Sequence, residues 1–246
     1  MQILDDLLQT IEIKEITKVC IGLNWTAVNV NHSGIERCGI ASTIIQSHTH
    51  SDEPRIKQAG NFERYTNQEL AELSLSDNPT LRSVGIATIN ASINPVLLKI
   101  EESNAADVLA SYGKGRRIVL IGRFPFTINL KAKVGELAVI EQDPEPGDYP
   151  ASKASEIVPQ ADVVAITGMT LINHTIQDLL DLCKKDAFVM VLGPSAPLSP
   201  VLFDYGVDVI SGSIVEKIAP VVKVISQGGN FRQVHKAGVR LVNMFK

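Results

Sequence analysis

Apolar residues run in short unbroken stretches through the second half of this 246-residue chain. Ile118-Val119-Leu120-Ile121-Gly122 and Leu137-Ala138-Val139-Ile140-Glu141 are two of them, and Asp162 to Gly168, Ala187 to Gly193 and Val207 to Gly212 are three more. Runs of this length, closed by glycine or a carboxylate, predict parallel strands buried on both faces. Val221 to Ser226 reads as a weaker sixth strand. Between the third and fourth runs, Ile172, Ile176, Leu179, Leu180 and Cys183 share one helical face. Ser199-Pro200, then Val201 to Tyr205 and Gly206, reads as N-cap, first-turn proline, short helix and C′ glycine. Strand and helix alternating in this way predict an open, Rossmann-like parallel sheet.

The first half has another grammar. A helix is expected over Ile3 to Ile11, strands over Ile16 to Leu23, Thr26 to Val30 and Cys38 to Ile45, and helices over Asn67 to Leu75 and Asn78 to Ile93. Strands followed by helices mark an α+β unit. The glycines and cations of Ser111-Tyr112-Gly113-Lys114-Gly115-Arg116-Arg117 interrupt the apolar pattern, which places a domain boundary between 1–112 and 113–246.

Composition narrows the function classes. With 45% hydrophobic and 20% charged residues the chain is globular rather than disordered. Its 23 basic and 27 acidic side chains give 23 − 27 = −4, and no basic run suits a nucleic acid partner. No stretch reaches the roughly 18 apolar residues of a membrane span. The opening Met1-Gln2-Ile3-Leu4-Asp5-Asp6 lacks a basic signal region, and three scattered cysteines make no disulfide framework. A cytoplasmic protein without membrane or nucleic acid partners is expected, with a homo-oligomer left open. Residues 1–113 carry 8 basic and 14 acidic side chains (net −6), and residues 114–246 carry 15 and 13 (net +2).

Open parallel sheets bind ligands beyond the carboxyl ends of their strands, a rule that selects Gly122, Phe124, Glu141, Gly168, Thr170, Asn173, Gly193 and Ser195 as rim candidates. A dinucleotide fingerprint needs further glycines for close approach to a pyrophosphate; Arg123, Phe124 and Pro125 follow Gly122 instead. The GxxxxGK[ST] pattern is absent too. Glu141 stands where such sheets place an acid for a ribose hydroxyl, and solvation in the acidic loop of residues 143–148 is its plainer reading. Thr170 and Asn173 could cradle an anion or simply cap a helix. Ser195 lacks the GxSxG elbow of a hydrolase nucleophile. His48 and His50, two apart and followed by Ser51, Asp52 and Glu53, are candidate metal ligands without a zinc-site spacing.

Several motifs carry a resemblance. Gly22 to Val28, Cys38 to Thr43, Ser83 to Ala91 and Ile121 to Pro125 are four, and Ile166-Thr167-Gly168-Met169-Thr170-Leu171-Ile172-Asn173-His174-Thr175 and Leu192-Gly193-Pro194-Ser195-Ala196-Pro197-Leu198-Ser199-Pro200 are the most specific. Together they resemble the prokaryotic family labelled "putative heavy-metal chelation domain", over nearly the whole chain. The resemblance implies an enolase N-terminal-like α+β domain joined to a Rossmann-like domain, with a site between them. It implies that Gly122, Phe124, Glu141, Thr170, Asn173 and Ser195 border that cleft, with Asn24, Thr26 and Asn90 as the polar motif positions facing it from the first half. No metal ligand carries over.

Three function classes follow: a protein binding a divalent heavy metal or a metal chelate, an enzyme using a nucleotide-like cofactor on a small anionic substrate, and a non-catalytic sensor of a small anion. The residues present no nucleophile–base pair that would decide whether a reaction is catalysed.

Overall fold

The computed structural model describes residues 2–45 and 54–246. Helix α1 (Gln2–Gln9) turns Ile3, Leu4 and Leu7 into the core. An antiparallel meander of β1 (Glu15–Ile21), β2 (Trp25–His32) and β3 (Ile35–Ser42) follows. Helix α2 (Asn67–Glu72) opens on a capping box between Thr66 and Glu69. Helix α3 (Pro79–Ser92) opens on Asn78, whose Oδ1 accepts from the Thr80 amide at 2.9 Å, and Pro79 occupies a first-turn position where no N–H is needed. One face of the meander, with Val28, Val30 and Ala41, packs with α3 in the main apolar cluster.

The second half builds a seven-stranded sheet from β4 (Arg117–Ile121), β5 (Glu136–Glu141), β6 (Tyr149–Pro150), β7 (Val163–Thr167), β8 (Phe188–Leu192), β9 (Val209–Val215) and β10 (Val239–Phe245). The strand order is β10-β9-β8-β7-β4-β5-β6, parallel throughout except for β10 against β9. From β4 the chain runs outward to β5 and β6, then returns to the other side of β4 at β7, so the order reverses there. Such a reversal leaves a crevice beyond the carboxyl ends. Helix α4 (Ala105–Tyr112) contributes Leu109 to the cluster of Ile118, Leu120, Val163 and Met190 on one face. The other face, with Val119, Val164 and Val191, is continuous with the α3 core.

The remaining helices are short: α5 (Thr127–Lys131), α6 (Ala154–Ile157), α7 (Met169–Ile172), α8 (Ile176–Asp181), α9 (Val201–Asp204), α10 (Ile218–Ser226) and α11 (Phe231–Gly238). Helices α10 and α11 pack with the second face of the meander, where Val221, Val222, Ile225 and Val234 meet Ala27, Cys38 and Ile40. The small sheet is thus enclosed by one helix of its own half and two of the other.

Three sequence expectations change. Val221–Ser226 is part of α10, not a strand: Val221, Val222 and Ile225 form one buried helical stripe, and β-branched composition masked the helical spacing. The single helix over Ile172–Cys183 is broken in two at His174, whose φ is +63° and whose Nε2 lies 2.7 Å from the Ser74 carbonyl. Pro200 is the N-cap of α9 rather than its first residue, while Ser199 Oγ still accepts from the Val201 amide at 3.4 Å. The edge strand β10 and the helices α4 and α11 had no clear signal in the pattern. No helix among the described residues is long and apolar enough to cross a membrane.

Asn67 joins the start of β1 to α3. Fully buried, it accepts from the Lys14 amide at 2.6 Å and donates to the Glu12 carbonyl and Ser92 Oγ, each at 2.9 Å. Asn67→Ala is expected to lower the unfolding free energy by about 2–4 kcal/mol, since buried partners are left unsatisfied; urea denaturation measures it.

Candidate functional site

A cavity of about 390 Å³ opens where the sheet order reverses, beyond the carboxyl ends of β4, β5 and β7. Gly122, Glu141, Thr170 and Asn173 line it together with Thr167 and Asp178. Among the described residues its lining comes wholly from 121–182, so the cavity belongs to the parallel sheet alone. Gly122 follows β4 with φ +99°, and a Cβ there would stand 3.0 Å from Thr167 Cγ2. A side chain at 122 would strain the backbone and crowd the floor.

Glu141 ends β5. Its Oε1 accepts from the Arg123 amide at 2.6 Å and its Oε2 from the Gln142 amide at 3.1 Å. These bonds fix the carboxylate at the rim, and each oxygen keeps a further lone pair. The Arg123 guanidinium does not pair with Glu141. It bridges Glu145, at 2.6 Å, and Asp148, so it pins the acidic loop of residues 143–148 beside the cavity, and the Asp148 hydrogen bond raises its pKa further. Thr170 is buried, and its Oγ1 donates to the Thr167 carbonyl at 2.7 Å. Asn173 Oδ1 accepts from Thr175 Oγ1 at 2.6 Å and from the Thr175 amide at 3.2 Å, which ties the end of α7 to the start of α8.

The other candidates lie elsewhere. Phe124 packs beside Phe126, the ring centroids 5.2 Å apart, on the α4 face of the sheet. Gly193 (φ +111°) donates its amide to the Ser211 carbonyl. Ser195, only 2% exposed, accepts from the Ser42 amide at 2.9 Å and donates to Ser42 Oγ at 3.2 Å. Gly168 packs against that loop so closely that a Cβ would lie 2.5 Å from the Ala196 nitrogen. Asn24 Nδ2 donates to the Gly228 carbonyl at 2.9 Å, Thr26 and Thr43 join hydroxyls at 2.9 Å, and Asn90 Nδ2 reaches the Ile40 and Pro194 carbonyls at 2.9 and 3.4 Å. Asn24, Asn90 and Ser195 therefore join the two halves of the chain directly. His48 and His50 lie outside the described residues.

Ser152, Ser155 and Asp178 also line the cavity and had not been singled out. The three-residue spacing of the two serines, one helical turn, was the available signal. Among the described residues no group of three or more His, Cys, Asp and Glu is arranged to hold a metal ion. The three cysteines are free thiols. Burial pushes Cys38 far above its ordinary pKa and Cys183 up to about 11, which keeps both thiols protonated and poor ligands.

The parallel-dominated sheet and the small antiparallel sheet define a two-part α/β protein. The chain belongs to the family described as "Putative heavy-metal chelation": one family profile with that description matches residues 104–244 and a second matches residues 4–93. It is 26% identical over 189 residues to the uncharacterized protein MJ0500 of Methanocaldococcus jannaschii, covering 74% of this chain and 71% of that one. A crystal structure of a protein with unknown function from Desulfitobacterium hafniense DCB-2, of the family matched by residues 104–244, has the same fold (TM-score 0.87, 23% identity, 100% of this chain and 98% of that chain). So does another member of unknown function from Pyrococcus horikoshii (TM-score 0.82, 22% identity, 100% and 98%).

Ser195→Ala should lower the unfolding free energy by about 1–3 kcal/mol by orphaning the Ser42 amide. Unchanged stability in a denaturant titration would show that this hydroxyl is not a structural tie.

Proposed function

We propose that the chain binds a small hydroxyl-bearing organic ligand, of nucleoside-like class, in the β4–β5–β7 cavity. The observation that supports this reading is Glu141, a carboxylate held by two backbone amides at the rim, beside a glycine that leaves the approach open. A carboxylate so placed accepts hydrogen bonds from neighbouring hydroxyls, and the hydroxyls of Ser152, Ser155 and Thr167 add neutral donors and acceptors around it.

The family description brings heavy metals into this reading through a chelate. The described lining offers carboxylate, hydroxyl and amide groups with a single soft donor, the Met169 thioether, and neither thiol nor imidazole, so it holds no soft-ligand set for a bare heavy metal. A metal therefore enters as part of an organic complex, and this chain holds the organic part. Residues 1–112 and 113–246 act as two domains in this scheme, the first supporting the second.

Calorimetric titration of the whole chain with adenosine, ATP, nickel(II) chloride and nickel(II) with ATP tests the proposal. Binding of an adenosine-containing probe is expected, weakened about 10–100-fold in Glu141→Gln, which keeps an oxygen for the Arg123 amide but loses the charge. Equal affinity in Glu141→Gln overturns the role of Glu141. Binding of nickel(II) chloride alone, with none by either adenosine compound, overturns the organic-ligand reading.

A further inference from the structure

A different cavity, of about 260 Å³, lies among α1, the approach to β1 and the end of α3, and its polar lining includes the cations Lys14 and Arg37, the carboxylate Glu12, and His32, Ser92 and Ser199. Lys14 is 8% exposed. Its Nζ donates to the Ser92 carbonyl at 2.8 Å and stands 3.9 Å from Glu12, whose side chain is 74% exposed. An ion pair so open to water contributes little. An ammonium has three protons, so the remaining donors have no close partner among the described residues.

Arg37 is the second cation. Its Nη1 is buried and has no hydrogen-bond partner among the described residues. Glu36, the adjacent carboxylate, accepts through Oε1 from Thr17 Oγ1 at 2.8 Å and Asn29 Nδ2 at 3.2 Å and makes no ion pair with Arg37 among the described contacts. Burial first, then the charge of Arg37, pulls the Lys14 pKa down against the weaker opposing pull of Glu12. Two cations sharing a pocket, one of them with an unsatisfied buried N–H, form an arrangement that costs free energy until an anion enters.

We propose that this pocket binds a small oxyanion, a carboxylate or a phosphate, between the Lys14 ammonium and the Arg37 guanidinium. The space far exceeds that of a single water, enough for a compact organic acid or inorganic phosphate. Ser199 comes from the second half of the chain, so the bound anion touches both halves and stabilises their junction. The site is separate from the β4–β5–β7 cavity and does not depend on what that cavity binds.

Thermal unfolding of the whole chain in sodium phosphate, acetate or succinate, against sodium chloride at equal ionic strength, provides the test. At least one oxyanion should raise Tm in a saturable way, by about 5 °C at high occupancy. A response to phosphate alone identifies a phosphate site, and a response to acetate or succinate a carboxylate site. Arg37→Met should abolish the rise and, in chloride, unfold at a higher temperature than the parent, because a guanidinium with a buried, unpartnered N–H is gone. Lys14→Met should behave alike; if it fails to fold, Arg37→Met decides. Glu141→Gln should keep the whole response. The proposal fails if no oxyanion exceeds chloride, or if the rise survives in Arg37→Met.

Discussion

The loop of residues 193–200 is where two sheets of different construction are held in one register. Its Ser195 hydroxyl takes the amide that ends β3, its Pro194 carbonyl receives Asn90 from α3 and Ser213 from β9, and Ala196 and Leu198 enter the main core. Ser195 is buried and the other groups are half-buried, so a partner lost here costs up to about 1–3 kcal/mol where water cannot replace it. Three prolines in the loop restrict its backbone before folding begins, which reduces the entropy lost in placing it. With Gly168 pressed on the same loop, the start of α7, and with it Thr170 at the cavity, is positioned by a contact that also positions the small sheet.

Much of the parallel sheet could be read from the chain because strands buried on both faces leave unbroken apolar runs. The same property misled at α10, where Val221, Val222 and Ile225 are apolar and β-branched but lie along one side of a helix against the meander. Pattern alone does not separate the two for a short run; what decides is the uncovered second face of β1–β3, a fact of tertiary structure. Glu141 and Gly122 were legible as rim residues because strand ends follow from strand runs. The direct ties of Asn24, Asn90 and Ser195 between the halves were not, since their partners are carbonyls and amides about 100 to 200 positions away. Lys14 and Arg37 gave no signal at all, being single cations on different segments that meet only when β3 lies under α3.

Charge shows how far a local arrangement can depart from a global sum. The first half carries net −6, yet the pocket it forms with Ser199 presents buried Lys14 and half-buried Arg37 against the single carboxylate of Glu12. The second half is net +2, yet its cavity presents Glu141 and Asp178, with Arg123 drawn aside to Glu145 and Asp148. Net charge governs the distant field of a protein, whereas a site is set by which side chains are desolvated and left unpaired. Each half therefore displays at its pocket the sign opposite to its total. Both pockets border elements fixed by the 193–200 loop, Ser199 at one and α7 at the other.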